Sequence, residues 1–165
     1  MEPTRNIRVA GAFAACLIAC GCASYGGYIP GVSTMSEVRL KSGRPTDVRF
    51  SPGGEVWEYA TGPEGVETYV IAFDRSGVVR SAEQVLTVDN MKRLIPGKTT
   101  REETRDLLGR PGDVLRMNGK EIWEWRFKPF GFIPEILAVS FGQDGLVTDV
   151  ARVPESIGGS RRGGR

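Results

Sequence analysis

Two segments of the chain repeat each other at a fixed distance. The segment Gly-Arg-Pro-Thr-Asp-Val at residues 43–48 returns as Gly-Arg-Pro-Gly-Asp-Val at residues 109–114, 66 positions later. At the same offset Glu-Val-Trp-Glu-Tyr at 55–59 returns as Glu-Ile-Trp-Glu-Trp at 121–125. An internal repeat constrains the architecture before any other signal. The chain is therefore predicted to contain two copies of one small structural unit.

The repeated residues are caps, turn formers and apolar strand residues, and no set of catalytic side chains repeats with them. Thr34 and Thr100 are each followed three residues later by a glutamate, which is the pattern of a helix-starting capping box. A glycine ends the short helix in each copy, and a proline two residues later prevents its continuation. The residues predicted to build the unit are Gly43 and Gly109, Pro45 and Pro111, and Trp57 and Trp123.

Segments rich in β-branched and aromatic residues, separated by Gly-rich turns, follow the helix in each copy. The predicted strands are 55–61, 68–73 and 78–86 in the first copy and 121–127, 136–141 and 146–153 in the second. An additional short helix is predicted over 89–95, with Asp89 as its N-cap. The predicted fold class is α+β, in which short helices of two tandem units pack on three-stranded antiparallel meanders.

A unit of about 60 residues is marginal alone, since it buries only about 60% of its unfolded-chain surface. Two units that share an apolar seam are therefore expected to stabilise each other. The predicted organisation is a signal peptide over 1–19, a tether over 20–32, a first unit over 33–88, a second unit over 89–155 and a disordered basic tail over 156–165.

The first 19 residues are typical of a bacterial lipoprotein signal peptide. Arg5 and Arg8 precede an apolar run over 9–19, which is too short to span a bilayer as a helix. The run ends in Leu-Ile-Ala-Cys, which resembles a lipobox whose cysteine, Cys20, becomes the acylated N-terminus. Cys22 is the second choice for the acylated residue. An ordinary secreted protein with leftover cysteines is the alternative.

The predicted anchor also predicts a location. A multiply acylated cysteine gives firm membrane attachment, because two or more chains far exceed the hold of one. In enteric bacteria an aspartate after the cysteine favours the inner membrane, and here Gly21 follows Cys20. By that resemblance the protein is expected at the periplasmic face of the outer membrane, with outer-membrane lipid as its first partner.

Composition excludes several classes of function. The chain has no histidine, which removes the commonest general base and the commonest metal ligand. Its net charge is only +2, which does not indicate a nucleic-acid binder. No cofactor, metal site or catalytic residue is predicted, and the protein is expected not to be an enzyme, although carboxylate chemistry stays open.

The motifs of the second copy resemble those of a known family. They are Gly-Lys-Thr-Thr-Arg-Glu-Glu at 97–103, Leu-Gly-Arg-Pro at 108–111, Trp-Glu-Trp at 123–125 and Phe-Gly-Gln-Asp-Gly-Leu-Val at 141–147. The first copy keeps fewer of them, and the likeness covers about residues 31–153. Together with the lipobox, these motifs resemble the BamE/SmpA/OmlA family of outer-membrane lipoproteins.

That resemblance implies a non-catalytic protein-interaction module in outer-membrane protein assembly or envelope integrity, with another envelope protein as partner. Assembly-factor members of the family carry one unit, so the duplication is a departure. The tandem layout is also similar to that of β-lactamase inhibitory proteins. The alternative function is therefore a periplasmic inhibitor or ligand-binding lipoprotein that uses a concave sheet face.

Two sets of residues have alternative interpretations. The segment 127–134 has no counterpart in the first copy and places Phe130, Phe132 and Ile133 in a hairpin loop, either as a partner or lipid contact or as a cap on the core. Trp57 and Trp123 are either binding anchors or, more often at a repeated strand position, core residues whose N–H finds a carbonyl. The glutamates that recur beside them are interpreted as solvated strand residues.

Overall fold

A computed structural model describes residues 25–61, 66–117, 119–129 and 133–155. The predicted signal peptide, Cys20, Cys22, Phe130, Phe132 and the predicted basic tail lie outside the described residues. None of the helices in the described ranges combines the length and apolar character needed to cross a membrane.

The predicted α+β class is wrong, because the fold is mostly β. The described residues form two four-stranded antiparallel sheets, and only about 18% of them are helical. The strand missing from the prediction is the first of each sheet, at Asp47–Ser51 and Asp113–Met117. Each pairs back along the next strand through a tight turn, Ser51 opposite Gly54 and Met117 opposite Lys120. Each has only five residues, and its large apolar side chains, such as Phe50 and Met117, are exposed, so no buried apolar face marks it as a strand in the sequence.

The first unit begins with a 3-10 turn at Tyr25–Gly27, followed by one helix and sheet 1. Its elements in chain order are α1 (Met35–Ser42), β1 (Asp47–Ser51), β2 (Gly54–Thr61), β3 (Glu67–Phe73) and β4 (Val79–Gln84). The strands lie in sequence order, each antiparallel to the next. The last three of them lie where the β-rich segments predict strands.

The second unit repeats this order and adds one short helix before the main one. Its elements are α2 (Val88–Met91), α3 (Arg101–Leu108), β5 (Asp113–Met117), β6 (Lys120–Phe127), β7 (Glu135–Phe141) and β8 (Val147–Pro154), the four strands forming sheet 2. The N-cap of α2 is Thr87, whose hydroxyl accepts from Asn90 N, and not Asp89 as predicted. Asp89 lies in the first turn and pairs with Lys92 at 2.8 Å.

The helix caps follow the repeat, although not completely. Thr100 and Glu103 form a full capping box on α3, with reciprocal bonds of 3.1 Å and 2.9 Å. On α1 only half of the predicted box is present, in which Thr34 Oγ1 accepts from Glu37 N at 3.3 Å. Both helices therefore begin where the sequence predicts.

Each unit has its own apolar core between its main helix and one face of its sheet. In the first core Trp57 contacts Phe73 edge to face at 4.8 Å, and in the second Trp123 contacts Phe141 in the same way at 4.8 Å. Tyr28, from the predicted tether, is 1% exposed and belongs to the first core. The repeated aromatic pair therefore fixes the core of each unit.

A second repeated contact ties the end of each helix to its sheet. Tyr59 Oη donates to the carbonyl of Gly43 at 3.3 Å, and Trp125 Nε1 donates to the carbonyl of Gly109 at 3.2 Å. Both glycines have positive φ, 74° and 79°. The phenol and the indole thus satisfy the same helix-terminal carbonyl, which preserves the junction although the aromatic residue differs.

Candidate interaction surface

The two units are stacked through helix α3. Successive residues of a strand point to opposite faces of a sheet, so each sheet has a core face and a back face. Leu108 of α3 belongs to the core of sheet 2, whereas Arg105 of the same helix contacts Asp47 on the back face of sheet 1. Helix α3 therefore packs its apolar side on sheet 2 and its charged side on the back face of sheet 1.

Charged groups make most of the specific contacts between α3 and sheet 1. Arg105 Nη2 lies 2.6 Å from Asp47 Oδ2 and 3.6 Å from Glu58 Oε2. Asp106 forms an ion pair with Arg49. Charges of opposite sign face each other across the contact. The strand pair contributes two acids and one base, and the helix contributes one base and one acid. The contact therefore has a defined register as well as attraction.

Glu58 is the buried centre of this contact. Its side chain is only 2% exposed, and its Oε1 accepts a 2.6 Å hydrogen bond from the backbone N–H of Arg110. Its Oε2 lies beyond hydrogen-bond distance of any group in the described ranges. The interpretation of this glutamate as a solvated strand residue is therefore wrong.

The backbone of the second unit approaches sheet 1 most closely at Gly109. A Cβ on this residue would lie 2.6 Å from Thr68 Cγ2 and 3.0 Å from Glu58 Oε1. Thr68 is itself only 2% exposed. Glycine is therefore required at this position for two reasons. Its φ is positive, and no space is available for a Cβ.

Burial raises the pKa of Glu58 above the ordinary glutamate value of 4.5. The N–H of Arg110 and the charges of Arg105 and Arg49 act in the opposite direction and offset part of the effect, while Asp47 adds to the increase. Removal from water therefore outweighs the nearby cations.

The substitution Glu58→Gln is expected to become increasingly favourable, relative to the native chain, as the pH rises. Because the folded pKa of Glu58 is raised, its contribution to stability is fully present below the unfolded pKa and is lost as the pH rises through the folded pKa. Urea unfolding between about pH 4 and pH 8 measures this difference. Glu124→Gln, at the corresponding half-buried position of the second copy, is the matched control. A difference that does not change with pH would contradict the assignment.

The back face of sheet 2 presents the same positions without a covering helix. Asp113 and Glu124 correspond to Asp47 and Glu58 by the repeat offset, and they oppose each other across β5 and β6. Asp113 is exposed and Glu124 is half-buried. In the described part of the chain, no helix covers this face as α3 covers sheet 1.

This open face is also partly apolar. Leu115 and Ile136 are half-buried on it, and Met117 at its edge is 60% exposed. Leu115 lies at the position of Arg49 in the first copy, and Ile136 at that of Thr68. These aliphatic side chains give the face a partly exposed apolar patch, and such patches mark protein interaction sites.

A cleft of about 290 Å³ lies beside the contact between the units. Its lining includes Glu58 and Thr68 from sheet 1 and Glu124, Arg126 and Ile136 from sheet 2. Arg126 pairs with Glu155 at 2.6 Å at one side of it. The described residues hold no group of three or more metal-ligating side chains.

The structure places the predicted structural residues in the scaffold. Trp57 is 7% exposed, and Trp123 packs against the second core. The indole N–H groups donate to the recurring glutamates Glu55 and Glu121, both at 2.8 Å, and not to a carbonyl as predicted. Pro45 and Pro111 are half-buried between helix and first strand.

Among the residues predicted to contact a partner, Ile133 is 58% exposed, and Phe130 and Phe132 lie outside the described residues. Sequence reasoning missed the contact residues on the back faces, Asp47 and Glu58 with their counterparts. The available signal was the recurrence of both acids at the repeat offset, but the sequence does not show which of the two sheets a helix covers.

Comparison with known proteins finds no protein family and no curated protein that matches the chain. Among solved structures, a DUF4309 family protein (YjgB) from Bacillus subtilis aligns over 79% of this chain and 84% of that chain, at 17% identity and a TM-score of 0.31. Such a TM-score carries no argument about function. The resemblance to BamE/SmpA/OmlA lipoproteins stays a proposal.

Proposed function

We propose that the protein is an outer-membrane lipoprotein, held at the periplasmic face through acylated Cys20, that acts as a non-catalytic protein-interaction module. By its resemblance to the BamE/SmpA/OmlA family, it acts in outer-membrane protein assembly or envelope integrity. The back face of sheet 2 is its binding surface.

The observation that carries the binding role is the difference between the two back faces. On sheet 1 an ordered helix covers the acidic positions and reduces the exposure of Glu58 to 2%. On sheet 2 the corresponding positions, Asp113 and Glu124, are combined with aliphatic side chains and carry no helix among the described residues. The first unit thus provides, within the same chain, an example of what such a face binds.

The anchor is tested separately from the binding surface. Cys20→Ala is expected to abolish labelling of the protein by a palmitate analogue, because the acylated residue is then missing. Cys22→Ala is the matched control and is expected to leave the label unchanged. Labelling that survives Cys20→Ala but is lost with Cys22→Ala would move the anchor to Cys22, and labelling of neither parent nor control would contradict a lipoprotein.

The binding surface is tested by a photo-cross-linking residue at position 136, introduced into the full chain in native membranes. Cross-linked envelope-assembly components are expected from this position, and none from the exposed position 92 at the end of α2. Recovery of a single periplasmic enzyme would support the inhibitor alternative, which uses a concave sheet face. Equal cross-linking from both positions would contradict the assigned surface.

A further inference from the structure

We propose that the protein associates with itself head to tail, with α1 of one copy docked on the back face of sheet 2 of the next. This inference rests on the proposed function, since it uses the same binding surface, and it names a second copy of the chain as the envelope protein bound there. The internal contact between α3 and sheet 1 is the template. Each copy of the unit carries both halves of that contact, so one half at each end has no partner among the described residues.

The main ion pair of the internal contact has its counterpart at the two open ends. Arg105 of α3 pairs with Asp47 at 2.6 Å. The repeat offset carries these residues to Arg39 on α1 and to Asp113 on β5, both of which are exposed. A second copy docked in the same way places the Arg39 guanidinium beside the Asp113 carboxylate.

Both members of the second ion pair are replaced at the open ends. Arg49 binds Asp106 in the internal contact. The residues at the corresponding positions of the open ends are Leu115 on sheet 2 and Leu40 on α1. Leu40 is 90% exposed on the surface of its helix. Both charged residues have thus been replaced by leucines. The two leucines contact each other if the two ends meet, whereas Leu40 remains exposed if they do not.

The buried hydrogen bond of the internal contact also has its parts in place. The Arg110 N–H donates to Glu58 at 2.6 Å. The corresponding donor is the N–H of Arg44, at the end of α1, and the corresponding acceptor is Glu124 on sheet 2. Arg44 is exposed and Glu124 is half-buried, so both groups are accessible to a second copy.

The glycine that permits close approach is present at the free end as well. Gly109 approaches Thr68 so closely that a Cβ would not fit. At the corresponding Gly43 the backbone is again left-handed, with a φ of 74°, and open space surrounds its missing Cβ. The corresponding position on sheet 2 is Ile136, which is half-buried and lines the cleft beside sheet 1.

Such a contact is heterologous, because different surfaces meet on the two molecules. Heterologous contacts give rings when the rotation closes and open filaments when it does not. The expected assemblies therefore grow by whole chains and are not restricted to a symmetric dimer.

Sedimentation equilibrium of the acylated full chain, density-matched to its detergent, tests the inference. The average molecular mass is expected to exceed that of the monomer and to increase with protein concentration up to about 1 mM. Tethering commonly provides an effective concentration of this order. Arg39→Glu and Asp113→Lys are each expected to weaken association about tenfold or more, because like charges then meet. The control Lys98→Glu, an exposed charge reversal away from both ends, is expected to have no such effect.

Mixing the Arg39→Glu protein with the Asp113→Lys protein provides the decisive arm. Every contact between unlike copies then joins opposite charges, either the two introduced side chains or the native Arg39 with the native Asp113, so association is expected to return. A chain that stays monomeric up to about 1 mM, or single variants that associate normally, would overturn the proposal. Association that is lost on removal of residues 156–165 would overturn it too, because the basic tail would then be the occupant.

The outcomes separate the two proposals. A monomeric chain whose position 136 still cross-links to another envelope protein would leave the binding surface standing and eliminate the second copy as its occupant. A monomeric chain without any adduct from position 136 would overturn both. Adducts from that position with the mass of two chains support the head-to-tail contact.

Discussion

Replacing Gly109 by alanine is expected to lower the free energy of unfolding by about 2–4 kcal/mol. Two effects combine. The backbone has a φ of 79° and a ψ of −170°, a region that essentially only glycine adopts, so an L side chain costs about 1–3 kcal/mol there. The new Cβ would also lie 2.6 Å from Thr68 Cγ2 and 3.0 Å from the Glu58 carboxylate, so α3 must shift away from sheet 1. Urea unfolding monitored by tryptophan fluorescence measures the loss.

Gly43→Ala is the matched control, since the backbone is equally left-handed but no atom lies within 4 Å of the added Cβ. Its expected cost is only the backbone part, about 1–3 kcal/mol. The difference between the two variants thus isolates the contact between the units. Equal losses would contradict close packing of α3 on sheet 1.

Replacing Arg105 by alanine is expected to cost about 1–3 kcal/mol at neutral pH. The substitution leaves Asp47 without its 2.6 Å partner and removes the cation nearest to the buried Glu58. The loss is below that of a fully buried pair, because the side chains of Arg105 and Asp47 keep 24% and 27% of their exposure. It is expected to decrease towards acid pH, where Glu58 is protonated.

Arg39→Ala is the matched control for that substitution. Arg39 occupies the same helical position in the first copy, is exposed and lies 6.0 Å from the Trp57 ring. Its removal is expected to change the unfolding free energy by less than about 0.5 kcal/mol. If both substitutions cost the same, the charge contact between the units does not contribute specifically to stability.

Much of each unit is predictable from the sequence, because local signals determine it. The threonine caps, the helix-ending glycines and the aromatic strands lie where the repeat predicts them, since caps, turns and β-rich segments act over a few residues. The strand Asp47–Ser51 and its counterpart Asp113–Met117 were missed. They are five residues long and expose most of their large apolar side chains, so pairing with the following strand, rather than a buried apolar face, defines them.

The candidate surface was less predictable, for a physical reason. Glu58 and Glu124 have almost identical local sequences, yet one is 2% exposed and the other is half-buried. The difference arises from tertiary packing, because α3 covers the back face of sheet 1 and no described helix covers the back face of sheet 2. Periodicity assigns a residue to a face of a sheet, but it does not tell whether that face is covered.

Chemical cross-linking between Leu40→Cys and Leu115→Cys tests most directly the claim that the back face of sheet 2 repeats the internal contact. Both substitutions are placed in one full chain that carries Cys22→Ser, and the acylated protein is treated with a short bismaleimide. A ladder of dimers, trimers and larger species is expected on a denaturing gel, whereas either single-cysteine variant is expected to give no species larger than a dimer. A chain that stays monomeric, or that ladders equally when the second cysteine is moved from position 115 to the exposed position 83 of sheet 1, would contradict it.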